Sequence, residues 1–285
     1  MMGSELRLAV CFFDQRVFYA VGEIGKPDPI LRIGSHEFNF SIADAFRSSD
    51  QMKIEGVYAI LKAIKQEFPI TDLQVITLPI HECWATFPKL VQEDPTEREA
   101  HLGILMYGVE RSSLDVTWHE LSNRDYRLMV VRDSRIMNAF SRMGELVTKT
   151  AYNSECDTGS KWYSHHRTTG NYMTICSYPG LISVSSYVLG KLRGATMIRF
   201  EVLDDLPFLW EFSAQRLRWM KGLHEQILFY GIQARHIQDR LVTLLDSSAD
   251  MITLDSLKVM GLNVEEETYN FELSQAFPAI IHAAS

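Results

Sequence analysis

Two apolar hairpins, one at the start of the chain and one at its middle, constrain the fold more than any other feature. Leu8-Ala9-Val10-Cys11-Phe12 is an unbroken apolar run, and Asp14-Gln15-Arg16 supplies turn residues. Val17-Phe18-Tyr19-Ala20-Val21 is a second apolar run. Two adjacent buried strands are therefore predicted between Leu6 and Val21. Asn171 to Tyr187 repeats the arrangement. Two halves that open alike predict a duplicated α/β architecture, and 285 residues leave room for two domains of ordinary size.

The first half reads as β-β-β-α-β. Pro27-Asp28-Pro29 makes a turn before a short strand from Ile30 to Ile33. Ile54, Val57, Tyr58, Leu61, Ile64 and Phe68 recur at helical spacing, and Pro69 ends that helix. Leu73 to Leu78 is a central strand closed by Pro79. From Ile80 to Asp125 the chain is more polar and punctuated by Pro88 and Pro95. A helix over Glu97 to Val109 and a half-exposed strand over Val116 to Leu121 are expected there, as a small inserted subdomain. Tyr126 to Val131 then returns to a buried strand, and Lys149 to Gly170 reads as a connection or an irregular helix between the halves. The second half gives three strands, then a helix capped by Asp204-Asp205. A strand over Gln226 to Tyr230 follows, and a final helix near Phe271 to His282 in which Pro278 is expected to form a kink. The predicted domains are 1–150, with the insert at about 80–125, and 151–285.

Composition excludes several classes of function. The net charge of −8 is spread over short alternations, which argues against a nucleic-acid binder. Arg193, Arg199, Arg216, Arg218 and Lys221 read as a solvated face. Cys11, Cys83, Cys156 and Cys176 show no close pairing and fit buried free thiols in a reducing compartment. No apolar run approaches the ~18 residues of a membrane span, and the N-terminus lacks a leader pattern. A cytoplasmic location is expected, with any membrane attachment supplied by a partner.

Local motifs for chemistry are sparse. His165-His166 with Cys156 and Asp157 match no metal-ligand spacing, so no metal site is expected. His81-Glu82-Cys83 would alternate across a strand and cannot form a dyad locally. Gly22 and Gly25 are followed by Lys26-Pro27 rather than a helix, and read as a turn. No residue is singled out as catalytic.

Three segments carry a family likeness. Val75 to Leu90 with Glu97 onward and Asp125-Tyr126 look like a subdomain inserted into a first domain. Ile227-Leu228-Phe229-Tyr230-Gly231-Ile232-Gln233-Ala234 reads as strand, glycine loop and helix, and Phe277 to Ala284 as a closing helix. In this order the chain resembles the cytoplasmic actin-like proteins of type IV pilus assembly, the PilM kind, and the related GspL component of type II secretion. The resemblance implies a duplicated actin-like (ribonuclease H-like) fold. It also implies that the two hairpin turns face the phosphates of ATP and that the Gly231 loop faces adenosine.

The same resemblance exposes departures. The family's first hairpin ends in Asp-x-Gly, in which the acid acts through magnesium and the glycine admits phosphate. Aligning the strands puts Phe12 at the acid position and Asp14 at the glycine position. The second hairpin offers Cys176, Ser177, Tyr178 and Pro179, and the proline removes an amide donor. Tyr230 stands beside Gly231 where a glycine pair is usual. These residues form a degenerate nucleotide cleft, so no cofactor is expected, with ATP and magnesium left open. The expected role is a non-catalytic scaffold or adaptor, a pseudo-ATPase. Its expected partner is a peptide from a membrane-anchored assembly protein, held in a groove bordered by Val75, Leu78, Trp84 and Trp118. A residual nucleotide-binding enzyme or sensor using Asp14, and a self-assembling homo-oligomer, are the alternative readings.

Overall fold

The computed structural model describes residues 5–26, 29–166, 170–262, 264 and 269–285; most of the Pro27-Asp28-Pro29 turn lies outside them. The chain opens with β1 (Leu6–Phe12), β2 (Arg16–Glu23) and β3 (Ile30–Glu37), then α1 (Ile42–Arg47), α2 (Gln51–Glu67) and β4 (Ile70–Thr77). Next come β5 (Glu82–Pro88), α3 (Lys89–Glu93), α4 (Pro95–Leu105), β6 (Leu114–Glu120) and β7 (Tyr126–Asp133). α5 (Ser134–Gly144), β8 (Lys149–Ser154) and α6 (Thr158–His166) lead to the second half. That half holds β9 (Asn171–Tyr178), β10 (Leu181–Val188), β11 (Lys191–Arg199), α7 (Leu206–Arg216), β12 (Gln226–Gly231), α8 (Ala234–Leu241), β13 (Asp250–Thr253) and α9 (Leu273–Ala284).

The duplication is visible in the sheets. One has the order β3-β2-β1-β4-β8 and the other β11-β10-β9-β12-β13. In each, the first three strands are antiparallel and the last two run parallel to the first. Strand periodicity divides each sheet into two faces. Leu8, Val10 and Phe12 pack with Phe46, Leu61 and Phe140 under α1, α2 and α5. Ala9, Cys11 and Phe13 join a second core with Tyr172, Cys176 and Tyr178 of the other sheet. α7 and α8 cover the far face of the second sheet around Trp210, Ile227 and Phe229.

α9 completes the core shared by the sheets. Its Ala276, Phe277, Ala279, Ile280 and Ile281 are fully buried, and it packs on β1, β2, β12 and α6. Burial of Phe277, Ile280 and Ile281 alone is worth roughly 1.5–3 kcal/mol per side chain. The helix runs continuously through Pro278. Gly22 is not the turn residue expected from sequence. It lies in β2 where a Cβ would stand 2.4 Å from the Ala283 carbonyl oxygen, so its lack of a side chain lets α9 approach.

Three expectations are corrected. β7 does not return to the first sheet; it is the central strand of a separate sheet, β5-β7-β6. That sheet is built from Glu82–Pro88, Leu114–Glu120 and Tyr126–Asp133. Lys149 to Ser154 is a strand, not a connection, and completes the first sheet beside β4. Asp205 makes no side-chain cap on α7, and Asp204 pairs instead with Arg240 of α8 at 2.8 Å.

A buried polar knot fixes the insert to the body. Glu82, at the start of β5, accepts Arg132 Nε of β7 at 2.7 Å, Trp84 Nε1 at 2.5 Å and Ser154 Oγ of β8 at 2.5 Å. It also accepts the Thr77 hydroxyl of β4. Both side chains of the ion pair are nearly inaccessible, at 4% for Arg132 and 0% for Glu82.

Candidate functional site

The two hairpin turns meet in a cleft at the ends of the parallel strands. A cavity of about 260 Å³ there is lined by Phe13, Asp14, Gln15, Arg16, Tyr178 and Pro179, with Ile80 and Ile232 behind. Its volume is below the ~300–1,000 Å³ of ordinary ligand pockets. Phe13 packs edge-on against Phe18 with ring centroids 5.2 Å apart, and against Tyr178 of the opposite hairpin at 5.5 Å. The turns are thus joined by aromatic contact. The Phe13 amide is already bonded to the Arg16 carbonyl at 2.7 Å. Asp14 is exposed at the cleft, and its carbonyl accepts the Ile42 amide at 2.7 Å, anchoring the start of α1.

Several residues assigned to the cleft lie elsewhere. Phe12 faces the helix layer, with ring centroids 5.1 Å from Phe140 and 6.3 Å from Phe46. A one-residue slip in register flips a strand side chain to the other face, and the aromatic ring at the cleft is that of Phe13. Cys176 is buried in the shared core, and burial pushes its thiol pKa well above the usual range. Its counterpart Cys11 is raised to about 12 by the same cause. Neither thiol is a nucleophile at neutral pH. Ser177 is also buried; its hydroxyl donates to the Tyr230 and Ile232 carbonyls. Pro179 does border the cleft, as expected.

Tyr230 points into the shared core, not toward a ligand. Its hydroxyl donates to the buried Glu155, which also accepts Ser183 Oγ at 2.7 Å. Burial raises the Glu155 carboxyl to about 7. Gly231 has φ +93°, and a Cβ there would stand 2.3 Å from the Ser177 carbonyl oxygen. This glycine serves close packing of β12 on β9. The loop after it borders a cavity of about 380 Å³ lined by Gln233, Arg235, Thr253, Tyr269 and Phe271. Arg235 is held there by Asp255, with Nε 2.8 Å from Oδ2.

The groove expected from sequence does not assemble. Val75 is buried under the helices of the first sheet, while Leu78 belongs to the shared core. Trp84 is opposite Val130 and Trp118 opposite Met129 across β7, so the two tryptophans occupy opposite faces of the insert. Exposed apolar side chains on the insert lie instead on and after its helices: Leu90 at 61%, Ile104 at 78% and Tyr107 at 92%.

His165 and His166 do not approach Cys156 as ligands. His166 stacks on Trp162 at 3.7 Å and its Nε2 lies 3.0 Å from the Met260 carbonyl. The histidine that does reach this region is His119 of β6, whose Nδ1 lies 3.1 Å from Asp157 Oδ1. No local pattern signals this pair, because 38 residues separate them. All four cysteines are free, and Cys83 alone is half-exposed. Among the described residues no helix is long and apolar enough to cross a membrane.

No family model matches the chain, and no curated protein does. Solved structures match over nearly its whole length. The PilM–PilN type IV pilus biogenesis complex aligns with a TM-score of 0.58 at 10% identity, covering 98% of this chain and 96% of that one. A Bacteroides thetaiotaomicron protein with an actin-like ATPase fold and unknown function aligns at 0.56 and 11% identity, covering 87% and 91%. The cytoplasmic domain of EpsL, an inner-membrane component of the type II secretion system of Vibrio cholerae, aligns at 0.51 and 9% identity, covering 99% and 96%. An inorganic polyphosphate/ATP-glucomannokinase from Arthrobacter sp. strain KM, an enzyme, also aligns at 0.51 and 10% identity, covering 98% of each chain. With its twice-repeated sheet, shared core and inserted subdomain, the chain has the actin-like fold and resembles the PilM and GspL-type proteins within it.

Proposed function

We propose that this chain is a non-catalytic actin-like scaffold that docks a segment of a membrane-anchored assembly protein. The observation that carries this reading is the aromatic contact across the cleft. Phe13 and Tyr178 touch where the phosphates of a nucleotide would pass, and Pro179 offers no amide. The likeness to PilM, solved as a complex with PilN, supports a protein partner. The insert is the docking module of this reading, because its helical side leaves Leu90, Ile104 and Tyr107 exposed.

Calorimetric titration with Mg²⁺-ATP tests the first part. No heat of binding at micromolar nucleotide is expected, and binding with turnover would overturn it. A photo-crosslinking residue at position 107, with a control at Glu67 on α2, tests the second. Position 107 should give an adduct with a membrane-anchored protein and position 67 none; equal or absent adducts would reject the insert as the docking module.

A second reading rests on the cavity beside the Gly231 loop. Its Tyr269 and Phe271 rings and Arg235 suit a nucleoside better than a triphosphate. Adenosine or ADP binding of equal strength, without magnesium dependence, supports this sensor reading; no binding of either removes it.

A further inference from the structure

The insert meets the turn between β8 and α6 through a cluster of unlike metal-ligating groups. His119 lies near the end of β6, and Cys156 and Asp157 lie in the single turn of 3₁₀ helix between β8 and α6. One donor atom from each of the three falls within 4.8 Å of the others. His119 Nδ1 and Asp157 Oδ1 are 3.1 Å apart.

These distances suit one ion. Tetrahedral zinc has Zn–N near 2.0 Å and Zn–S near 2.3 Å, which places its ligands about 3.5 Å from one another. The histidine and carboxylate are already at about that spacing, and the thiol must close by roughly 1 Å. Other bonds hold the ligands in place. Asp157 Oδ2 accepts the Ser154 amide at 2.8 Å, and the Cys156 carbonyl accepts Tyr187 Oη at 2.6 Å. The second His119 nitrogen, Nε2, is buried with no hydrogen-bond partner among the described residues.

Arg132, beside the site, is committed to Glu82 and Asp115. The site also has an opening. His119 and Asp157 line a cavity of about 480 Å³ between the insert, α6 and the start of β11, with Glu120, Ser160, Arg124, Arg127 and Lys191 on its walls. Three protein ligands and one position open to solvent describe a zinc site that exchanges its fourth ligand.

We propose that His119, Cys156 and Asp157 bind a zinc-class divalent metal that clamps the inserted sheet to the turn between β8 and α6. Binding displaces the thiol proton, and the imidazole proton where present, to the buffer; the fourth ligand is water from the cavity. The competing description is a plain His119–Asp157 ion pair, with which Cys156 is merely a neighbour.

Cobalt distinguishes the two. The full-length protein, reduced and freed of metal by a chelator, is titrated with Co²⁺. One equivalent should give the visible bands of a tetrahedral centre and a near-ultraviolet thiolate-to-cobalt band, and Zn²⁺ should bleach both and raise the melting temperature. Cys156→Ser should lose the thiolate band, and His119→Ala and Asp157→Asn should weaken Co²⁺ binding about 100-fold or more. Cys83→Ser and His165→Ala should change nothing. Absence of tetrahedral bands in the wild-type protein at one equivalent overturns the proposal. So does a thiolate band that survives Cys156→Ser or disappears with Cys83→Ser. The wild-type titration decides the matter even if a ligand variant fails to fold.

Discussion

Replacing Glu82 by alanine should cost far more than an ordinary polar substitution. The carboxylate accepts four donors: Thr77 Oγ1, Arg132 Nε, Trp84 Nε1 and Ser154 Oγ. Without it, Arg132 stays 4% exposed with Thr77 and Thr117 hydroxyls, at 3.2 and 3.0 Å, as neutral partners. Its remaining anion, Asp115, is 3.6 Å away and 36% exposed. Breaking a buried pair by removing one partner costs about 3–5 kcal/mol, because the other charge is left uncompensated. Urea denaturation of a chain with an m-value near 3 kcal/mol/M would then shift its midpoint by about 1–2 M. The double variant Glu82→Leu/Arg132→Met removes both charges and should be more stable than Glu82→Ala. A single-variant loss below about 1 kcal/mol, or a double variant worse than either single, would refute the claim that the knot is an obligatory charge pair.

Three further outcomes follow from the packing. Phe12→Ala should destabilise the fold by about 3–5 kcal/mol and leave nucleotide titrations unaltered, since the ring lies under α1 and α5; a change in nucleotide affinity would restore Phe12 to the cleft. Gly231→Ala should lower the melting temperature sharply, because its φ of +93° and the 2.3 Å approach to Ser177 leave no room for a methyl group; a silent substitution would contradict that approach. His282, fully buried on α9, has its pKa lowered to about 3 by burial, with Lys161 and Arg7 adding to the effect and Asp157 opposing it. Its neutral form is the one that folds, so its contribution is intact above the unfolded value near 6.5 and is lost as pH falls toward 3, by up to about 5 kcal/mol. His282→Leu should remove that slope, and wild-type and variant urea midpoints that fall in parallel from pH 7 to pH 4 would refute it.

The hairpins were legible because buried strands in both halves are unbroken apolar runs, and the turns between them carry polar residues. Their side-chain register was not. A strand apolar on both faces gives no alternation to fix the phase, so Phe12 and Phe13 could not be told apart as cleft residues. β7 misled for a related reason: Leu128-Met129-Val130-Val131 is as apolar as any strand of the main sheets, and sheet membership is not a local property. β8 went unseen because Lys149-Thr150-Ala151-Tyr152-Asn153-Ser154 is an edge strand with a polar face. The Trp84 and Trp118 pair failed as a groove because β5 and β6 flank β7 and present these side chains to opposite faces. His119 stands 38 residues from Asp157 in the chain, so no local spacing links them, and only the insert's sheet brings the two together.

The placement of α9 has a consequence for how the molecule is made. β1 and β2 are made well before the helix that covers their inner face, which follows about 250 residues later in the chain. Until it arrives, Ala9, Cys11, Phe18 and Ala20 have no permanent cover, and pairing of distant segments of this kind is slow. The nascent first sheet is therefore the stage at which this protein is most open to association with other chains. A helix that closes one copy late can equally close a neighbour, so refolding at high concentration should favour dimers joined by exchange of α9.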